Sequence, residues 1–307
     1  MLSGALDALR VSGSLVLNHC YGAPWAVDVP GADELQRLCG AERDARAVAF
    51  HLVHRGPLLV RTPTERCTVE SGAVVACFGG QPHRLGYGAN ARSVALADVL
   101  GGHARPPLGD DGGTHLSCGV LVLRDAALHP LLAALPNLVV ASTSDGDLDW
   151  IGQILRRELQ SGGEGSAFIV DRMLETLCAG VLRGHLARTP EDSVGWFRGL
   201  ADPQLSRALE QVHREPGAPW SVEALARVAG TSRSRFAARF AQLVGQAPMT
   251  YVARWRMSVA ARLLRRSDRS VAEVASAVGY DSVPAFARVF RRHVGASPAA
   301  FRRGRTG

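Results

Sequence analysis

The sequence contains no lysine, and all 35 of its basic residues are arginine. It also lacks a long hydrophobic run, since no stretch approaches the roughly 18 consecutive apolar residues that a transmembrane helix requires. Residues 1–17 show no basic segment followed by a long apolar core, so no secretory signal peptide is predicted. We therefore predict a cytoplasmic protein without membrane contact.

Cysteines are few, and no two of them form a CxxC pair. The six cysteines are too scattered for a zinc ribbon or a disulfide framework. In a reducing cytoplasm most of them are expected to be free thiols. They are Cys20, Cys39, Cys67, Cys77, Cys118 and Cys178.

Charge is distributed unevenly along the chain. Residues 201–307 contain 18 arginines against 7 acidic residues, whereas residues 1–200 contain 17 against 21, which together give the net charge of +7. A basic segment of this kind favours a polyanion partner, because neutralising phosphates releases counterions from DNA. Charge alone is equally typical of a solvated basic surface.

The distribution of apolar residues predicts an α+β protein. Between residues 10 and 125, short apolar runs separated by turn-forming residues are typical of a β-sandwich or β-barrel. From residue 148 to 187, apolar residues recur at helical spacing around a Gly-rich break, which predicts a helical hairpin. We expect a β-barrel domain over 1–135, a helical linker over 136–204 that could form a homodimer, and an all-α domain over 205–307.

The C-terminal segment contains an internal repeat of about fifty residues. Residues 221–230 align with residues 270–279, and one inserted residue later Phe236 aligns with Phe286. The further matching pairs are Phe240/Phe290, Gly245/Gly295 and Pro248/Pro298. Each copy predicts a serine-capped amphipathic helix, a glycine turn and a second helix, which is a helix-turn-helix unit.

The second helix of each copy is the candidate for DNA recognition. Its two phenylalanines lie on one face and pack inward, so the opposite face points outward. Small residues there let the helix approach base edges, and arginine can bind guanine or phosphate. A long helix over 249–266 would place the two recognition helices in successive major grooves, roughly 34 Å apart. The candidate residues are Arg233, Ser234, Arg235, Ala237 and Arg239 in the first unit, Ser282, Pro284, Arg288 and Arg291 in the second, and Arg256 between them.

Residues 206–304, with the terminal run Gly295-Ala-Ser-Pro298, resemble the DNA-binding domain of the AraC/XylS family. The resemblance implies a transcription regulator, usually an activator, that binds double-stranded promoter DNA and acts on RNA polymerase. Val283 and Pro284 stand where that family often has polar base-reading residues. This departure favours a role of the second unit in positioning the protein on the DNA backbone.

The N-terminal segment is similar to the cupin-like sensor domain of one branch of that family. The matching residues are Ala23-Pro24-Trp25, Phe50-His51, Gly72, Gly80 and His83, within residues 5–125. Phe78 replaces the usual proline, and Ala73 stands where an acidic residue is common. Neither change removes a potential ligand, but both make a catalytic cupin less expected.

Within this branch the chain resembles the regulators that sense reactive chlorine species. Cys20, His51, His83 and Cys118 fall where those proteins place redox-active or metal-binding residues. Two thiolates and two imidazoles suit tetrahedral zinc, or copper as the second candidate, and thiolates beside a metal are readily oxidised. For each residue taken alone, a buried cysteine or a hydrogen-bonded histidine is the structural alternative. Alternative ligands close in the sequence are His54, His115, Cys67 and Cys77.

We predict a regulator whose cupin domain detects an oxidant, a metal or a small ligand, and not an enzyme. A metal-dependent cupin enzyme fused to a DNA-binding domain is one alternative. It would need a glutamate beside its histidines, and neither Glu65 nor Glu70 has the expected spacing from His51. The other alternative is a barrel that binds an organic effector without metal, with Trp25 and Phe50 lining it.

Overall fold

The computed structural model describes residues 11–41, 45–109, 113–124, 132, 134–142, 148–188, 190 and 195–303. These residues form two compact units. The first contains the described parts of 10–124 and 135–187, and the second contains those of 125–134 and of 188–307. The chain is thus grouped differently from the three segments expected from the sequence, because the predicted linker is divided between the two units.

Two five-stranded sheets build the first unit. Their strand orders are β1-β9-β3-β6-β10 and β5-β4-β7-β2-β8. The strands are β1 (Val11–Tyr21), β2 (Trp25–Val29), β3 (Arg46–Arg55), β4 (Leu58–Arg61), β5 (Arg66–Val69), β6 (Ala73–Ala76), β7 (His83–Tyr87), β8 (Ser93–Ala95), β9 (Thr114–Leu123) and β10 (Val139–Ser142). All neighbouring strands are antiparallel except β2 and β8.

The inward faces of the two sheets form one apolar core. Valine and other aliphatic residues dominate it, as expected of strands that pack on both sides. β3 is the central element, because it pairs with β9 on one side and with β6 on the other. This register brings His51 opposite both Cys118 and Val75, so a polar pair lies in the middle of the core.

In the described part of the first unit, four helices accompany the sheets: α1 (Ala32–Leu38), α2 (Leu96–Leu100), α3 (Asp149–Ser161) and α4 (Ser166–Ala187). The predicted helical hairpin is α3 and α4, separated by Gly162 with φ +56°. α4 packs closely on β1, since a Cβ on Gly13 would lie 2.5 Å from the Cβ of Leu174. The hairpin therefore belongs to the core of the β unit.

The described residues of the second unit form helices and the turns and loops that connect them. Its helices are α5 (Trp196–Ala201), α6 (Pro203–Arg214), α7 (Val222–Ala229), α8 (Arg233–Val244), α9 (Pro248–Arg266), α10 (Val271–Ala277), α11 (Val283–Val294) and α12 (Pro298–Arg303). α7–α8 and α10–α11 are the two predicted helix-turn-helix units, and α9 is the predicted long helix between them. None of the helices in the described part of the chain is long and apolar enough to cross a membrane.

The caps predicted for the repeat are present in both copies. Ser270 and Glu273 form a reciprocal capping box, and Ser232 accepts a hydrogen bond from the first turn of α8. Gly230 and Gly279 adopt φ +68° and +76°, the left-handed conformation in which other residues are strained. These local signals fix the angle at which the second helix of each unit leaves the first.

Candidate nucleic-acid interface and candidate metal centre

α8 presents a polar, arginine-bearing face on the side opposite to its core contacts. Phe236 and Phe240 are 0% and 2% exposed and anchor the helix in the unit. On the opposite side the exposed residues are Ser234, Arg235, Ala238 and Gln242. The guanidinium of Arg235 has no hydrogen-bond or ion-pair partner among the described residues. This side chain is therefore available to an external anion.

α11 repeats this arrangement with more charge. Phe286 and Phe290 are fully buried. The exposed residues opposite them are Pro284, Arg288, Arg291 and Arg292. Pro284 occupies the first turn, where a missing backbone N–H costs no helical hydrogen bond. The surface of α11 is thus basic, with little hydrogen-bonding capacity at its N-terminus.

Two outward residues, Gln242 and Arg292, are absent from the set predicted from the sequence. Both lie six residues after a buried phenylalanine, which places them on the far side of the helix from that residue. A helical wheel drawn from Phe236 and Phe286 would have found them.

Three predicted DNA-binding residues lie at the margin of the outward faces. Arg233 is exposed but pairs with Glu223 of α7 at 2.7 Å. Ala237 is half-buried, and Ser282 caps α11 by accepting the N–H of Ala285. An exposed ion pair contributes little stability, so Arg233 can exchange its carboxylate for a phosphate at small cost.

Arg239 is turned toward the protein. Its guanidinium donates to the carboxylate of Asp202, which is 2% exposed at the side chain. Asp202 also caps α6 by accepting the N–H groups of Gln204 and Leu205 at 3.0 and 2.9 Å. Burial raises the pKa of Asp202, but the hydrogen bonds from Arg239 and from these N–H groups outweigh it and hold the pKa below its usual value. Arg239 therefore attaches α8 to α6.

Arg256 is also engaged inside the unit. Its guanidinium donates to the carbonyl oxygens of Pro216 at 2.8 Å, Ala218 at 2.7 Å and Gly279 at 3.4 Å. Burial lowers the pKa of Arg256. The side chain thus spans backbone groups of both helix-turn-helix units.

A cluster of histidine and cysteine lies inside the β unit. Nε2 of His51 is 2.9 Å from Nε2 of His83, which in turn is 3.6 Å from Sγ of Cys77. These three ligand atoms all lie within 4.8 Å of one another. Sγ of Cys118 lies 2.9 Å from Nδ1 of His51, on the other side of that ring. The structure therefore brings together three of the predicted ligands and adds Cys77, one of the alternatives.

Cys20 is not part of this cluster. β1 pairs with β9 so that Leu17 is opposite Cys118 and Cys20 is opposite His115. Leu17 and Cys118 line the interior, and side chains alternate along a strand. Cys20 therefore lies on the outer face of the sheet, where its Sγ is 3.5 Å from a guanidinium nitrogen of Arg55.

The alternative ligands His54 and His115 lie on this outer face as well. Their rings are 4.8 Å apart, and Nε2 of His54 is 2.6 Å from Oγ of Ser117. Burial, followed by the nearby His115 and Arg156, lowers the pKa of His54 to about 4. Cys67 is partly buried and packs against the apolar core of the β unit. The sequence alone offered all of these residues as candidate ligands. Only the strand register shows which of them face the interior and which lie on the outer face of the sheet.

The inner cluster is neutral when it holds only protons. Burial lowers the pKa of His51 and His83 and raises the pKa of Cys77 and Cys118. Nδ1 of His83 donates to the carbonyl of Gln81 at 3.2 Å, which leaves its Nε2 as an acceptor. The Cys118 thiol, His51 and His83 can then form one hydrogen-bonded chain. A metal ion would replace this chain by taking the Nε2 lone pairs and a Cys77 thiolate.

An apolar cavity adjoins the cluster on the side of Cys118. Aliphatic residues form most of its wall, together with His51, Cys118 and two aromatic residues. The aromatic residues are Tyr21 and Trp25, with rings 4.7 Å apart. Among the described residues the Tyr21 hydroxyl and the Trp25 indole N–H are buried without a hydrogen-bond partner. These two groups could be satisfied by a bound acceptor.

Comparison with known proteins covers both units. A family model described as a cupin matches residues 1–187, and one described as a helix-turn-helix domain matches residues 225–304. A putative AraC-like transcription regulator of Streptomyces lividans is 37% identical over 98% of this chain and 97% of its own length. The RCS-specific HTH-type transcriptional activator RclR of Escherichia coli (strain K12) is 25% identical over 98% of this chain and 96% of its own.

Among solved structures, the DNA-binding domain of the transcription factor AdpA in complex with a target DNA is 39% identical. The match covers 34% of this chain and 92% of the AdpA domain, with a TM-score of 0.32. The family matches and the full-length relative confirm the predicted α+β fold and the predicted regulatory function. The chain therefore belongs to the AraC family of transcription regulators, with a cupin domain preceding its two helix-turn-helix units.

Proposed function

We propose that this regulator senses its signal through a metal ion held by His51, Cys77 and His83, and that α8 and α11 read promoter DNA. The observation that carries the sensor assignment is the approach of two imidazole Nε2 atoms to 2.9 Å, with a thiol sulfur 3.6 Å from one of them. Nitrogen and sulfur donors at these separations match tetrahedral zinc, and copper is the second candidate.

The surroundings of the three ligands support this assignment. His83 is oriented by the carbonyl of Gln81, and His51 can donate its Nδ1–H to Cys118 once its Nε2 binds a metal. Such partners fix the tautomer and orientation of metal-binding histidines. Cys118 is therefore assigned as a positioning residue behind His51. No carboxylate belongs to the group, so among the described residues it lacks the glutamate of catalytic cupins, and we propose a sensor and not an enzyme.

Metal-bound thiolate supplies a route to oxidant sensing. Burial raises the pKa of the Cys77 thiol, so without a metal it is protonated and a poor nucleophile. A metal would stabilise the thiolate, which oxidants attack. This chemistry agrees with the likeness to the RCS-specific activator RclR, and oxidation of the centre would shift the population of two conformations that differ in DNA affinity.

Metal analysis of the full chain tests the centre. Protein purified without added metal is measured by mass spectrometry, together with the variants Cys77→Ala, Cys20→Ala and Cys39→Ala. We expect near-stoichiometric metal that is lost in Cys77→Ala and retained in the other two. Cys118→Ser should weaken metal affinity about 10- to 100-fold. Loss of metal in Cys20→Ala with retention in Cys77→Ala would overturn the assignment.

An organic effector without metal is the alternative candidate, but the apolar cavity has little room for one. Its volume of about 20 Å³ is close to that needed by one water molecule, so a ring-shaped ligand would have to displace the surrounding side chains. A water molecule or an acceptor of similar size would be enough for the Tyr21 hydroxyl and the Trp25 N–H. We therefore propose the metal centre, and not this cavity, as the place where the signal is detected.

At the DNA interface, we assign base and phosphate contacts to Ser234, Arg235, Arg288 and Arg291, with Gln242 and Arg292 as further contacts. In this assignment α8 and α11 would insert into successive major grooves of a promoter. Action on RNA polymerase, activation of transcription, a homodimer and a cytoplasmic location are proposed by family analogy. DNA protection mapped with and without an oxidant such as hypochlorite tests whether the chain binds a promoter in an oxidant-dependent way. An unchanged footprint would contradict oxidant sensing.

A further inference from the structure

The two helix-turn-helix units meet where one backbone touches another. Gly217, in the loop before α7, lies against Ala277 and Gly279 at the turn of the second unit. A Cβ on Gly217 would lie 2.6 Å from the carbonyl oxygen of Ala277, and one on Gly279 would lie 2.6 Å from that of Gly217. A side chain at either position would push the units apart, so glycine is required for their contact.

Arg256 covers this contact from α9. Its Nε and Nη2 atoms donate to Pro216 and Ala218 in the first unit, and its Nη1 donates to Gly279 in the second. The guanidinium also lies over the ring of Tyr280, 5.8 Å from its centroid. One side chain therefore ties three elements together: the long helix, the loop before α7 and the turn before α11.

The chemistry of arginine suits this task. The guanidinium is planar and presents its donors in a fixed fork, so three simultaneous acceptors define its orientation and theirs. Lysine has one flexible ammonium and cannot hold the same geometry. By contrast Arg254, on the same helix, is exposed and has one long contact of 3.5 Å to Gln246. The neighbouring arginine thus provides a matched control for charge.

We propose that Arg256, with Gly217 and Gly279, is a clamp that fixes the spacing and relative rotation of α8 and α11. Arg256 is a positioning residue that sets which separation between two DNA elements is accepted, and it does not bind DNA. This inference rests on the proposed assignment of α8 and α11 as the recognition helices. One base pair changes the separation of two elements by about 3.4 Å and their rotation by about 34°, so a rigid pair of units should be sensitive to it.

The test uses the full chain and DNA duplexes that are selected by their binding to it. Duplexes are selected from a random library, and the central spacer of the best one is lengthened or shortened by single base pairs. Dissociation constants are measured by fluorescence anisotropy at several salt concentrations. The proteins are the unchanged chain, Arg256→Ala, Arg256→Lys and Arg254→Ala.

The unchanged chain should lose about tenfold in affinity when the spacer changes by one base pair, which corresponds to about 1.4 kcal/mol. In Arg256→Ala and Arg256→Lys this preference should fall to about threefold or less, because two helix-turn-helix units that are flexibly connected adapt to a new spacing at a lower cost in free energy. Their salt dependence should match that of the unchanged chain. Arg254→Ala should keep the full spacing preference. Amide exchange in the Arg256 variants should rise at residues 215–220 and 277–281.

Each other outcome has a definite meaning. A spacing preference that stays steep in both Arg256 variants overturns the clamp. A salt slope that falls by about one in Arg256→Ala identifies a phosphate contact instead. If Arg256→Ala does not fold, Arg256→Lys carries the test, since it retains the charge and most of the volume. Failure of the unchanged chain to select any DNA would refute the recognition helices themselves, which is a separate result.

Discussion

Asp202 should contribute more to the stability of the helical unit than its position at a helix end suggests. Its carboxylate caps α6 through two backbone N–H groups and also receives Arg239 of α8. Replacing an N-cap residue by alanine costs about 1 kcal/mol. Breaking an ion pair in which one partner is buried costs more free energy than breaking an exposed pair. Here the cost is reduced, because the side chain of Arg239 is 47% exposed and can be rehydrated.

The two contributions are separable by substitution. Asp202→Ala loses both the cap and the ion pair, and we expect it to lower the free energy of unfolding by about 2 to 3 kcal/mol. Asp202→Asn keeps an acceptor for the cap and loses the charge, so about half of that loss is expected. Arg239→Ala should cost about 1 kcal/mol and leave the cap in place. Urea unfolding followed by far-ultraviolet circular dichroism measures all three.

The dependence on pH provides an independent check. The pKa of Asp202 is lowered in the folded chain, so its contribution is present above the pKa of the unfolded carboxyl. It is lost as the pH falls below about 4 toward the folded-state value. Asp202→Asn should be less stable than the unchanged chain at pH 7, and the difference should shrink in acid. An equal stability of the two proteins at pH 7, or a difference that grows in acid, would refute the reasoning.

Three further predictions concern the helical unit. Arg235→Ala should reduce the slope of log affinity against log salt by about one, whereas Arg239→Ala should leave it nearly unchanged, as measured on one selected duplex. His213 is buried with a pKa of about 3, so the neutral form stabilises the fold above about pH 6.5, and His213→Gln should reduce the acid-induced loss of stability between about pH 6.5 and 4. Phe286→Ala should cost about 3 to 5 kcal/mol, and amide exchange should rise mainly in residues 271–303.

The helical unit was predictable from the sequence because its signals are local. Capping serines, turn glycines and phenylalanines four residues apart each act within one helical turn, and their repetition removed the ambiguity. What the sequence could not show was which arginines turn inward. Arg239 and Arg256 resemble the neighbouring arginines in type and spacing, and only the tertiary positions of Asp202 and of the loop at 215–221 supply their partners.

The β unit shows the limit of sequence position as a guide to a site. Cys20 and Cys118 lie on the neighbouring strands β1 and β9, but strand alternation places their side chains on opposite faces. Cys77 follows β6 directly and reaches the interior because β6 is paired with β3, which carries His51. A motif position can identify the strand that contributes a ligand. The face on which the ligand lies depends on register, and a shift of one residue reverses it.

Arginine has two functions in this chain, DNA contact and internal structure. A protein without lysine must use guanidinium groups both for DNA and for internal structure, and the two uses differ in what satisfies the donors. On α8 and α11 the outward arginines lack fixed acceptors among the described residues, so phosphate or a base can supply them. At Arg256 backbone carbonyls already occupy three of the five N–H donors in a defined geometry. Replacement by lysine should therefore be tolerated better at Arg291 than at Arg256, because a phosphate accepts an ammonium whereas the clamp requires the fork.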